Sequence, residues 1–222
     1  EGINKLKKYM DVEYKSWIDI KRPFTQQEME TMLNDKDILI MEMGELKKEV
    51  LDKAKNLKLI ACCRGLRGDD MTIDISECSR RNIPILLAPG RNLNSVAEFT
   101  ILLTLGIMKK LIPGIKWFYD GGWNEWLDFH TNFMTEELKG KQVGLIGFGN
   151  IGKRVSKLFN AFDANVVAYD PFVDDYEIYK HLNVKKIGLE DLLKTSDVVS
   201  LHMNVSEDTI GLIGEREISM MK

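Results

Sequence analysis

Between residues 143 and 170 the chain spells out one supersecondary unit without interruption. Val143-Gly144-Leu145-Ile146 is a short apolar run of buried-strand type, and it passes directly into Gly147-Phe148-Gly149-Asn150-Ile151-Gly152. Helix-spaced apolar residues follow at Val155, Leu158, Phe159 and Phe162. A second apolar strand, Val166-Val167-Ala168, then ends at Asp170. A glycine triplet alone is weak evidence. Strand, turn, helix, strand and acid in this order are the context that gives the triplet its meaning.

Each part has a physical task in holding a dinucleotide. Gly147 permits the tight turn, Gly149 lets backbone approach a pyrophosphate, and Gly152 lets the helix lie close to the strand. Phe148, Asn150 and Ile151 complete the turn, and free N–H groups at the helix start face the phosphates. Asp170 stands 18 residues after Gly152, near the ~20 expected of the acid that bonds the adenosine ribose. Its charge repels a 2′-phosphate, and Pro171-Phe172 brings no Arg to welcome one. The expected cofactor is NAD, not NADP.

The 222 residues suffice for one large domain or two small ones. A net charge of −3, with acids and bases interspersed, offers no basic face to nucleic acid or anionic lipid. No apolar run reaches the ~20 residues of a membrane span, and no signal peptide opens the sequence. Cys62, Cys63 and Cys78 read as small buried residues of a reducing, cytoplasmic compartment, and no metal-ligand spacing is present.

Strand and helix patterns alternate throughout, which predicts an α/β protein with parallel sheets. In the first part, strands are expected at 12–14, 37–41, 57–63 and 83–88, and helices at 26–33, 46–54 and 71–81, a small flavodoxin-like unit. Pro89-Gly90-Arg91-Asn92 breaks the rhythm. A long helix, roughly 95–111, is apolar on more than one face and ends near Pro113-Gly114. It is therefore expected to be buried in the monomer and again in a partner. A loop-rich stretch with Trp117, Phe118, Tyr119, Trp123, Trp126 and His130 follows, read as core or subunit interface. The second part is a Rossmann doubly wound sheet with strands at 143–146, 166–169, 184–187 and 198–202. A flavodoxin-like domain over 1–92 and a dinucleotide domain over 93–222 are the expected division. A dinucleotide fold has about six strands and only four are visible after residue 143. We therefore expect the protein to be longer than the sequence in hand, which opens on Glu1 and stops at Met220-Met221-Lys222.

The chain resembles the NAD-dependent D-2-hydroxyacid dehydrogenases, which include phosphoglycerate dehydrogenase and glyoxylate/hydroxypyruvate reductase. Arg64-Gly65-Leu66-Arg67-Gly68-Asp69-Asp70, Asn82-Ile83-Pro84-Ile85 and Pro89-Gly90-Arg91-Asn92 with Val96-Ala97-Glu98-Phe99-Thr100 carry the likeness. So do Glu137-Leu138-Lys139-Gly140-Lys141, the glycine turn, Tyr169-Asp170-Pro171, Leu192-Leu193 with Ser196-Asp197-Val198-Val199, and Leu201-His202. The resemblance implies hydride transfer between NAD(H) and a small 2-oxo or D-2-hydroxy acid. It also implies a homodimer formed through 95–135, and a substrate domain split between both ends of the chain, with 1–92 as its first part. Arg64, Gly65, Leu66 and Arg67 would lie in the loop that holds the substrate carboxylate, and Asn92 near the substrate. Val96 would border the nicotinamide, while Pro171 follows the ribose acid. His202, Asn204 and Thr209 would flank the nicotinamide-side ribose.

Two departures matter. Leu66 stands where the carboxylate loop usually has a second glycine, narrowing the backbone's approach, while Arg67 adds a charge suited to an anionic substrate. Asn204-Val205 replaces the family's Pro-Leu. The Arg and the His–Glu pair that run the family's chemistry are expected beyond Lys222. His130, His181 and His202 match none of these positions, so no catalytic acid is assigned within the chain. A non-catalytic NAD-binding regulatory module, of corepressor type, is the alternative.

Overall fold

Thr25 opens the first well-formed helix of the chain with a reciprocal cap. Its side chain accepts from the Glu28 amide while the Glu28 carboxylate accepts from the Thr25 amide at 2.8 Å. Arg22 clasps the same carboxylate with two nitrogens, each at 2.8 Å. The helix that follows, α3 (Gln26–Leu33), succeeds two short turns, α1 (Gly2–Leu6) and α2 (Trp17–Ile20). The structure, a computed structural model, describes residues 2–64, 72–122, 126–174 and 176–222. It divides into two units, Glu1–Pro89 and Gly90–Lys222.

The first unit holds a three-stranded parallel sheet in the order β1 (Ile38–Met41), β2 (Leu59–Cys62), β3 (Ile85–Leu87). Helices α4 (Lys48–Lys53) and α5 (Ile75–Arg80) alternate with the strands. Met41, Ile60 and Cys62 point to a core shared with Met29, Leu33, Leu46, Val50, Leu51 and Cys78. The opposite sheet face is open, with Ile40 49% and Leu86 57% exposed. Asp74 caps α5, so that helix begins at Ile75 and not at 71. Arg81 joins α5 to α4, donating to the Leu51 carbonyl at 2.5 Å and pairing with Asp52 and Glu77.

The strand expected at 12–14 is not formed. Alternating polarity around Val12 and Tyr14 suits a strand, but a strand needs a ladder partner. Here β1 pairs only with β2, and Tyr14 is 63% exposed.

The second unit carries a four-stranded parallel sheet in the order β6-β5-β4-β7, made of β4 (Gln142–Ile146), β5 (Asn165–Tyr169), β6 (Lys185–Lys186) and β7 (Val198–Leu201). In this unit's own strand sequence that is 3-2-1-4, the mononucleotide half of a doubly wound fold. Helix α9 (Asn150–Ala161) crosses from β4 to β5, α10 (Tyr176–His181) leads to β6, and α11 (Leu189–Thr195) to β7. Val143, Leu145, Phe148, Val155 and Phe159 are fully buried in one core, where α9 covers a face of the sheet and β5 and β7 flank β4 on both edges.

The long apolar helix is α6 (Leu93–Met108), stopped by Lys110 in a left-handed conformation (φ 50°). Only Ala97 and Thr104 of it are buried. Ile101, Leu105 and Met108, like Ile151 and Leu158 of α9, pack against the buried core of this unit, whereas Phe99, Leu102, Leu103 and Ile107 lie exposed. The expected burial within the monomer therefore holds for one face alone. The region expected to be loop-rich is largely helical: α7 (Leu111–Tyr119) runs straight through Pro113-Gly114, and α8 (Trp126–Asn132) follows. Pro113 falls in the first turn of α7, where its missing N–H has no intrahelical partner to lose. Trp117 packs on Phe129 and Phe133, with ring centroids 5.6 and 5.5 Å away. Trp123 lies outside the described residues. A last helix, α12 (Glu215–Ser219), packs near α11 through the Arg216–Glu190 pair.

Candidate dinucleotide-binding site

The turn between β4 and α9 is shaped by three close approaches. Gly147 adopts φ +95°, and a Cβ there would sit 2.7 Å from the carbonyl of His202, at the end of β7. A Cβ at Gly152 would overlap the Gly147 carbonyl oxygen, so α9 can start this close to the strand only with glycine at 152. Gly149 is different, for a Cβ there would meet nothing within 4 Å. Open space thus lies above the N-terminus of α9. Gly149 is the N-cap, makes no side-chain cap, and its carbonyl takes the first helical bond from Lys153 at 3.0 Å. The amides of Asn150, Ile151 and Gly152 precede that bond and have no partner within the helix. That is the geometry of a pyrophosphate cradle: unpartnered donors, the positive end of a helix dipole, and room kept clear of side chains.

Asp170 ends β5 beside this cradle and is only 8% exposed. Its Oδ2 accepts from the Phe148 amide at 2.7 Å. Its Oδ1 accepts from the amides of Phe172 (2.8 Å) and Val173 (3.1 Å), an Asx-type turn that follows from Pro171. The acid expected to read the ribose therefore also holds the glycine turn and the lip after β5. Phe148 is buried, with its ring stacked on Tyr179 of α10 (centroids 4.5 Å apart, planes at 16°). Burial, with the charges of Asp170 and Asp174 nearby, pushes the Tyr179 hydroxyl up to about 12, so it stays a neutral donor, bonding the Val173 carbonyl at 3.1 Å.

At the far side of the turn, the His202 amide donates to the Ile146 carbonyl (2.7 Å) and extends the ladder by one residue. Its imidazole Nε2 lies 3.0 Å from the Ser200 hydroxyl, and burial holds its pKa below the ordinary value. The neutral ring is thus the form present near pH 7. Asn204 is exposed, and its carbonyl accepts from the Thr209 hydroxyl at 2.7 Å, closing the loop after β7. Asn92 caps α6 with its backbone alone, since no side-chain cap bond forms, and its carbonyl accepts from the Val96 amide at 2.9 Å. Val96 is half-buried on the first turn of α6.

In the first unit, Arg64 is exposed and its carbonyl accepts from the Ala88 amide at 3.2 Å. Gly65, Leu66 and Arg67 lie outside the described residues. His181 ends α10 exposed, and His130 sits on α8 against the ring of Phe129. Among the described residues there is no group of His, Cys, Asp and Glu suited to a metal ion, and no helix is long and apolar enough to cross a membrane. Tyr179 and Lys186, which brace this site from α10 and β6, have no motif of their own. Only the 3.6-residue spacing of Tyr176, Tyr179 and Leu182 hinted that Tyr179 faces inward.

A half-built doubly wound sheet, a glycine turn opening a helix, and an acid closing the next strand define a dinucleotide-binding protein. Comparison places it further: residues 101–222 match the family described as D-isomer specific 2-hydroxyacid dehydrogenase, NAD binding domain, and the chain belongs to that family. It is 33% identical over 227 residues to the glyoxylate reductase of Thermofilum pendens, an alignment covering all of this chain and 64% of that enzyme. A D-lactate dehydrogenase from Aquifex aeolicus, solved with NAD and lactic acid, superposes with a TM-score of 0.72 at 30% identity. That match covers 87% of this chain and 56% of the other. An acyclic imino acid reductase solved with NADPH and D-Arg superposes at 0.81 with 26% identity, covering 99% and 66%. The chain thus spans about two thirds or less of each of these relatives. The cradle over Gly149 and the donors at 150–152 fit the NAD for which the family's domain is described.

Proposed function

We propose that the whole protein is an oxidoreductase that moves a hydride between NAD(H) and a small D-2-hydroxy acid or its 2-oxo counterpart. Phosphoglycerate dehydrogenase and glyoxylate/hydroxypyruvate reductase are its nearest functional types. The observation that carries this reading is the open space above the α9 N-terminus, next to a buried acid at the end of β5. When bound there, the nicotinamide supplies the hydride. The chain's own contributions are positional. Unpartnered amides at 150–152 hold the pyrophosphate, the remaining acceptor site on Asp170 takes a ribose hydroxyl, and neutral His202 with Asn204 and Thr209 borders the nicotinamide-side ribose. Val96 flanks the nicotinamide itself. Residues 1–92 act as part of the substrate domain: by resemblance to the family, the loop from Arg64 to Arg67 is assigned to the substrate carboxylate, and Asn92, whose side chain makes no cap bond, to orienting the substrate. NAD is preferred to NADP because Asp170 is negative and no Arg follows it.

The exposed apolar side chains Phe99, Leu102, Leu103 and Ile107 of α6, with Ile112, Ile115, Phe118 and Leu127 after it, support a homodimer formed through 95–135, and the free thiols of Cys62, Cys63 and Cys78 fit a cytoplasmic setting. Monomers seldom leave so large an apolar surface open.

Two measurements test the reading. NADH should bind the chain with a Kd that Asp170→Ala raises at least ~10-fold, the scale of a lost hydrogen bond to a charged group. The whole protein should oxidise NADH in the presence of at least one of glyoxylate, hydroxypyruvate, 3-phosphohydroxypyruvate or pyruvate. No NADH binding refutes the site, and binding without turnover on the panel favours the non-catalytic module.

A further inference from the structure

The lip after β5 is braced by a cation that the glycine motif does not announce. Lys186 of β6 pairs in register with Ala168, two residues before Asp170. Its ammonium donates to the Val173 carbonyl at 2.9 Å and to Asp174 Oδ1 at 2.8 Å, and lies 5.8 Å from the Tyr179 ring centroid. The Val173 carbonyl accepts from both Lys186 and the Tyr179 hydroxyl, while the Val173 amide donates to Asp170. A positive charge is therefore tied to Val173, the residue whose amide donates to Asp170. Its partner, Asp174, is 93% exposed, and the Lys186 side chain is 35% exposed. Pairs this open contribute little to stability. They do change the local field on the lip that follows Asp170.

We propose that Lys186 and Asp174 form a charge couple that sets the preference of this site for NAD over NADP. Asp174 cancels the Lys186 ammonium, so the couple itself adds no net charge beside Asp170. Freed of Asp174, the same ammonium attracts a 2′-phosphate. The lip carbonyl it bonds keeps it near the ribose, so the effect does not depend on a flexible side chain finding its target. This proposal rests on the reading of the cradle as a dinucleotide site.

The test is the ratio of Kd for NADPH to Kd for NADH, measured by calorimetry on the purified whole protein. Asp174→Asn should lower the ratio about fivefold, the scale of one unit charge near a phosphate across water. Lys186→Gln, whose amide can still donate to the Val173 carbonyl, should raise it. In the double variant Asp174→Asn/Lys186→Gln the ratio should return to that of the wild type. All three differences should shrink at about 1 M salt, where the Debye length is near 3 Å. A merely structural brace would move both single variants in the same direction. An unchanged ratio in Asp174→Asn overturns the proposal. So does an equal fall in the double variant, which would mean that Asp174 repels phosphate by itself. Failure of the wild type to bind NADH would instead refute the dinucleotide reading beneath it.

Discussion

Gly149→Ala separates binding from folding at the one glycine of the turn whose missing side chain leaves empty space. Alanine is a poorer N-cap than glycine, a loss of about 0.5–1 kcal/mol. The backbone of Gly149 (φ −73°, ψ −159°) is open to alanine. Reduced freedom in the unfolded chain therefore returns about 0.4–1 kcal/mol. The two effects nearly cancel, and the melting temperature should stay within a few degrees of the wild type. The new methyl group, however, projects above the α9 N-terminus, where the pyrophosphate needs backbone contact. Displacing one charge-assisted hydrogen bond costs about 1.5–3 kcal/mol, or roughly 10–100-fold in Kd. Gly147→Ala is the contrast, since left-handed strain plus the approach to the His202 carbonyl should destabilise by roughly 2–4 kcal/mol. Thermal unfolding and an NADH fluorescence titration, run on both variants, read the two effects apart. A folded Gly149→Ala protein that binds NADH within twofold of the wild type would refute the placement of the cradle.

Two further outcomes follow from surface and charge. Ile107, 78% exposed near the C-terminal end of α6, should tolerate Glu as a monomer but not within an interface. Sedimentation velocity should show a dimer for the wild type and a monomer for Ile107→Glu, and an unchanged dimer places the interface elsewhere. Glu28 and Glu77 are held at about 2 by Arg22 and by Arg80 with Arg81, respectively. A carboxylate lowered in the folded state adds stability above its unfolded pKa and loses it as pH falls toward the folded value. The urea midpoint should therefore fall between about pH 5 and pH 2, and Glu77→Gln should flatten that fall. A midpoint independent of pH across this window would mean the pairs are not formed in solution.

The β4–α9–β5 unit was legible because everything that specifies it is consecutive: apolar strand, glycine turn, helix spacing, apolar strand, acid. Its neighbours were less so, for identifiable reasons. Val12 and Tyr14 have the alternation of a strand, yet pairing depends on an edge elsewhere in the fold. Pro113-Gly114 reads as a stop signal, but a proline in the first turn disrupts nothing, so α7 runs on. The exposed half of α6 looks in sequence like a second buried face, because Leu102 and Ile107 carry no mark of which side meets α9. Asn92, Val96, Asn204 and Thr209 could be named only through resemblance, since each is a common residue without a spacing signature. The Lys186–Val173 and Tyr179–Phe148 contacts were invisible, because they join residues 13 and 31 positions apart through a fold that had first to exist.

What the contacts of Asp170 add is a reason for an acid at that position before any cofactor arrives. A carboxylate offers about four acceptor sites. Three are taken by the amides of Phe148, Phe172 and Val173. Asparagine could satisfy the donors on one oxygen only, and its own NH₂ would face an N–H on the other side. On the proposed reading, the charge that would repel a 2′-phosphate is therefore the same charge that fixes the glycine turn. An exchange of Asp170 for a neutral residue would admit the phosphate while loosening the cradle that must hold it. A route to NADP that keeps the turn intact has to leave Asp170 in place and act on the lip beyond it, where Asp174 is exposed and Lys186 bonds the Val173 carbonyl.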